Sequence, residues 1–123
     1  MIKIKADRIK NRLYVKLDGF FSEDDVKSAG NQIIQGAASL RPGFDVINDV
    51  SGFKPVKPEA SDHIIHIQEE VKKMSLGRVV RVVGDNVLAK MQLSRTSREA
   101  GYNAYTVATY EEAEHLLDAD KKP

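Results

Sequence analysis

The sequence predicts an α/β domain: a mixed, mainly parallel five-stranded sheet with about four helices, in the order ββαβαβαβα. Three observations carry this reading. Short apolar stretches with period two alternate with longer stretches of helical spacing. Val79-Val80-Arg81-Val82-Val83 is nearly continuous apolar, as in a strand covered on both faces. Glycine, proline and good helix caps fall at the boundaries between these stretches.

The opening eighteen residues predict a β-hairpin. Ile2, Ile4 and Ala6 alternate with Lys3 and Lys5, and Leu13, Val15 and Leu17 alternate with Tyr14, Lys16 and Asp18. Asp7 to Asn11 supplies the turn, and the lysines on the first strand discourage pairing with another chain at the sheet edge. After Gly19, Ser22 is a good N-cap, with Asp25 at the third helical position and Glu23 and Asp24 favourable to the dipole. Phe21 and Val26 occupy the positions of a hydrophobic staple. This helix turns Val26, Ala29, Ile33, Ile34 and Ala37 inward and ends near Leu40, although Gly30 and Gly36 each cost it about 1 kcal/mol against alanine.

A strand is expected over Phe44–Val50, closing at Ser51-Gly52. Pro55 and Pro58 stop it, and Pro58 suits the first turn of a helix that recurs through Ala60, Ile64, Ile67, Val71 and Met74. Val79–Val83 follows, then Gly84-Asp85-Asn86 and a third helix from about Val87 to Ala100. Ala104–Ala108 is the last strand. Thr109 and Glu112 form a capping box for a final helix that buries Tyr110, Ala113, Leu116 and Leu117. No linker or repeat interrupts the 123 residues, so one domain over 1–123 is expected, with 118–123 as a frayed tail.

Composition narrows the function classes. The 41% hydrophobic and 30% charged content is that of a globular chain. With no cysteine, disulfides, thiol catalysis and cysteine metal sites are excluded, which suits a reducing, cytoplasmic location. The start lacks a continuous apolar segment of the secretory type, and no apolar stretch approaches the roughly 20 residues of a membrane span. The net charge of +1 hides an asymmetry: between Lys72 and Arg98 stand seven basic residues and one acid, Asp85. Arg78, Arg81, Lys90, Arg95 and Arg98 therefore form a candidate basic patch for an acidic partner, or else solvate different faces. No aromatic residue is interleaved to stack on bases, so nucleic acid is not expected as a partner.

The element order, with Asp49-Val50-Ser51-Gly52-Phe53, Arg81-Val82-Val83-Gly84-Asp85-Asn86 and Thr109-Tyr110-Glu111-Glu112-Ala113-Glu114-His115-Leu116-Leu117, resembles the STAS fold. This is the family of the anti-sigma-factor antagonist SpoIIAA, and the chain is more similar to its stand-alone bacterial relatives than to the antagonists proper. The resemblance implies a non-enzymatic module that works by protein–protein contact, switched in the antagonists by phosphorylation of a serine at the start of the second helix. Counting from Asp49, the family's paired serines fall here at Pro58 and Glu59, which carry no hydroxyl. Ser61 and Ser51 are the nearest candidates for modification, and Glu59 either imitates a phosphate charge or simply suits the helix dipole.

Phe53 and Val56, in the loop before the second helix, are candidate partner- or ligand-binding residues together with Glu59 and Ser61; the alternative is that the two apolar side chains close over the sheet end. The preferred expectation is a regulatory or binding module with a protein partner, and the alternative is a carrier or sensor of a small apolar or anionic ligand in the groove at the start of the second helix. A homodimer through the edge strand or an exposed helix is a further option. Asp62, His63 and His66 do not complete a metal site or a catalytic dyad by sequence-local pattern, and Gly84-Asp85-Asn86 lacks the glycine spacing and lysine of a phosphate loop. No cofactor, no metal and no catalytic residue is expected.

Overall fold

The structure is a computed structural model and describes residues 1–119. Its elements are β1 (Ile2–Asp7), β2 (Arg12–Gly19), α1 (Glu23–Ala38), β3 (Asp45–Phe53), α2 (Pro58–Lys72), β4 (Val79–Val82), α3 (Val87–Ala100), β5 (Tyr105–Val107) and α4 (Tyr110–Ala119). The five strands lie in the order β1-β2-β3-β4-β5. β1 and β2 are antiparallel, and every later pair is parallel. The expected α/β class and element order are therefore present.

The layering follows from chirality. Because each new strand adds on the same side of the last, right-handed crossovers place α1, α2 and α3 on one face of the sheet. α2 packs between α1 and α3, whereas α4, which follows the last strand, packs against β3, β4 and β5. Strand residues sort accordingly by parity. Leu13, Val15, Val46, Val50, Val79 and Val83 face the three-helix side. Ile47, Val80 and Val82 meet Ala113 and Leu117 of α4.

Local chemistry sets the joints. Ser22 and Asp25 form a reciprocal capping box at α1, and Phe21 and Val26 share one core cluster as a staple does. A Cβ added at Gly30 would stand 2.5 Å from Ile67 Cδ1, so this glycine permits the close crossing of α1 and α2. Gly77 is tighter: a Cβ there would meet the Gly43 carbonyl oxygen at 2.5 Å and Asp45 Oδ1 at 2.7 Å.

Three expectations need correction. β3 runs on through Ser51 and Gly52 to Phe53, because the parallel register with β2 continues through Asp18↔Gly52 and Gly19↔Phe53. Tyr110 is not a core residue: it stacks on Tyr14 at 6.0 Å between ring centroids and stays 41% exposed. At the expected frayed end, Asp118 and Ala119 are the last residues of α4, and residues 120–123 lie outside those described. Asp118 is held there because its carboxylate accepts a 2.9 Å hydrogen bond from Arg12. The Thr109–Glu112 pair caps α4 in altered form: the Thr109 hydroxyl accepts from the Glu112 N–H and donates to the Glu112 carboxylate, each at 3.1 Å.

Candidate functional site

Loops at the carboxyl ends of the parallel strands converge on Asn86. Its side-chain amide donates to the carbonyls of Val50, Ser51 and Phe53 at 3.2, 3.2 and 2.8 Å, while its Oδ1 accepts from the Ala89 N–H as the N-cap of α3. One residue thus fixes the end of β3 to the start of α3. Gln92, two turns into the helix, holds Val56 by both its N–H (2.9 Å) and its carbonyl (2.8 Å). The end of β3 and the loop before α2 are strapped to α3 by these five side-chain bonds to backbone, three to the strand and two to the loop.

That strapping decides the fate of the residues singled out from the sequence. Phe53 is 2% exposed, with its ring 5.6 Å from that of Phe21, and Val56 is also in the core. They close the sheet end rather than line a surface. Ser61 is 3% exposed within the first turns of α2, so a kinase cannot reach its hydroxyl in the folded state. Ser51 is exposed, but its hydroxyl donates to Asp49 Oδ1 at 2.7 Å. Glu59 remains on the surface, beside Phe20, Glu23 and Lys57 at a shallow concavity of about 260 Å³.

What this end exposes instead is apolar surface on α3. Val87, Leu88 and Met91 are 62%, 63% and 64% exposed on its first turns. Phe20, 67% exposed, follows β2 at the same sheet end, where Lys54 N–H donates to the Gly19 carbonyl. Leu88 and Met91 are three apart, hence on one helix face. The sequence places them in the third helix without showing which of its apolar side chains stay outside.

The basic patch does not form as one surface. Lys90, Arg95 and Arg98 are exposed on α3, but Arg78 is half-buried and donates to the Leu117 carbonyl, with Asp45 Oδ2 3.6 Å away. Arg81 is 2% exposed. It stands on β4 with the inward parity of Val79 and Val83, so its side chain runs beneath α3, where NH2 donates to Ser97 Oγ at 2.8 Å. Burial holds its pKa below the usual guanidinium value, opposed only by the field of Tyr102. Burial also pushes the Tyr102 phenol up to about 12, opposed by Arg81.

Arg12 is the instructive contrast. It is fully buried as well, but on the α4 face, and it donates to Glu114 and Asp118 while Tyr14 OH donates to Glu114. Burial alone would lower its pKa; the hydrogen bonds with Asp118, Tyr14 and Glu114 outweigh that and hold it above the usual value. On α2, His63 Nε2 lies 3.0 Å from Glu23 Oε1, joining α2 to α1, and His66 and Asp62 are exposed. Among the described residues no group of three or more histidine, aspartate or glutamate side chains converges as metal ligands would. Among the described residues no helix is long and apolar enough to cross a membrane.

Comparison with known proteins adds the fold and no more. No protein-family description matches the chain, and no curated protein matches it. Among solved structures, the NMR structure of the protein TM1081 is similar with a TM-score of 0.65, over 99% of this chain and 90% of that one. The two sequences are 12% identical. A likeness at that identity speaks for shared architecture alone.

Proposed function

We propose that the chain is a non-catalytic regulatory or binding module of the STAS-like type, acting by contact with a protein partner at the carboxyl end of its parallel strands. The observation that carries this is the exposure of Val87, Leu88 and Met91 on a helix start that Asn86 and Gln92 hold rigid. Clustered apolar side chains on a preorganised helix face are what a partner buries at little ordering cost. The element order supports the STAS-like reading, with the contact surface moved from Phe53, Val56 and Ser61, which are buried, to the exposed apolar start of α3.

A photo-crosslinking residue at position 91, introduced in the cells that make the protein, tests this directly. A protein partner should be trapped there and lost when Leu88→Lys is added, with the fold unchanged by circular dichroism. Trapping of a second copy of this chain would make the partner a homodimer mate. Absence of any crosslink above a control at exposed Lys3 would sink the proposal.

A further inference from the structure

The later turns of α3 carry a second feature, centred about 11 Å along the helix from the apolar patch. A groove of about 200 Å³ opens there, lined by Arg81, Ser94, Ser97, Arg98, Tyr102, Asn103, Ala104 and Thr106. Among the described residues, no acidic side chain lines it. Ser94, Ser97 and Arg98 are three and four apart, so α3 presents them on one face.

The hydrogen bonding of the groove is one-sided. Ser97 Oγ accepts from both Arg81 NH2 (2.8 Å) and Gln68 Nε2 (3.2 Å), which fills its two acceptor positions and leaves its own proton to be donated elsewhere. Arg81 Nε is buried and has no hydrogen-bond partner among the described residues. No carboxylate among the described residues pairs with Arg81, although it is 2% exposed and buried charges are normally paired. Asn48, its neighbour in the β3–β4 register, and Gln68 bring buried oxygens without partners to the inner side. These are neutral and cannot offset a full charge. Arg98 adds a second, exposed guanidinium at the rim.

We propose that this groove binds a small phosphate-type dianion, inorganic phosphate or the phosphate of a monoester, between Arg81 and Arg98, with Ser97, Ser94 and Thr106 as hydroxyl donors. Two guanidinium charges match a phosphate at neutral pH, and planar guanidinium forks suit its oxygens. The donors around the groove also outnumber what a carboxylate with two oxygens would use. Tyr102 stays protonated to about pH 12 and adds a neutral wall.

The test is a titration of the full chain with inorganic phosphate at constant ionic strength, followed by amide NMR shifts, with acetate as comparator. Saturable shifts confined to Arg81 and residues 94–106 are expected, and acetate should bind at least about tenfold more weakly. Arg98→Gln, an exposed change that leaves the fold intact, should weaken phosphate about tenfold, the worth of one charge-assisted hydrogen bond. Arg81→Met should abolish the saturable shifts. Linear, non-saturating shifts in the wild type, or phosphate affinity unchanged in Arg98→Gln, would overturn the site. Acetate binding as tightly as phosphate would overturn the dianion assignment.

Discussion

Replacing Arg12 and Arg81 separately by methionine applies one chemical change to two buried guanidiniums in one fold, and the structure predicts opposite signs. Arg12→Met removes two charge-assisted hydrogen bonds, to Glu114 and Asp118. Each is worth roughly 1.5–3 kcal/mol, but the carboxylates left behind are 26% and 52% exposed and recover part of that from water. A loss of about 2–3 kcal/mol is expected. Arg81→Met removes a single bond, to a serine that keeps Gln68 as a donor. Against that loss of about 1.5 kcal/mol stands relief of a buried, uncompensated charge, which costs several kcal/mol. A gain of about 1–3 kcal/mol is expected. With a urea m-value of about 1–3 kcal/mol/M, the midpoints of the two variants should lie about 2 M apart, read by far-UV circular dichroism. The buffer must be free of phosphate, because a ligand bound to the native state would stabilise the reference protein. Equal destabilisation of both variants would refute the reasoning, since it would mean that Asn48 and Gln68 compensate Arg81 within the fold.

Two further outcomes are expected. Gly77→Ala should destabilise by about 1–3 kcal/mol in the same assay, because the new methyl meets the backbone oxygens of Gly43 and Phe44, which cannot swing aside; a change within experimental error would show that this turn can relax. In an alkaline titration followed by phenolate absorbance, Tyr102, pushed up to about 12 by burial, and Tyr110, pushed up to about 12 by partial burial together with neighbouring Tyr14 and Glu114, should ionise late. For groups raised in the folded state, the stabilisation is complete below the ordinary value of 10 and is lost as pH rises from there towards 12, so unfolding should accompany the last phenols. Four tyrosines titrating together near 10 in a folded protein would contradict the burial described here.

Periodicity, caps and breakers were sufficient for the element order. The alternation in β1 and β2, the valine-rich run of β4, Pro58 at the first turn of α2 and Ser22 at the cap of α1 are local signals, readable from near neighbours. Even the side of the sheet taken by the first three helices follows from sequential strand order and the hand of the crossover. Burial of polar residues is of another kind. Arg81 among valines reads as a charge on a strand, and nothing near Arg12 in the sequence marks it as buried; that Arg12 meets two carboxylates from α4 and Arg81 none depends on elements about a hundred and about sixteen residues away in the chain. Phe53 and Val56 lie in a proline-flanked stretch that suits either a surface or a lid over the sheet end, and the lid forms because Asn86 and Gln92, more than thirty residues on, reach back to their backbone. The sequence by itself determined which segments are strands and helices, since those choices rest on near neighbours. Only the tertiary structure decided which charges are buried, which are paired, and which apolar side chains remain outside, because each of those depends on what packs from across the sheet.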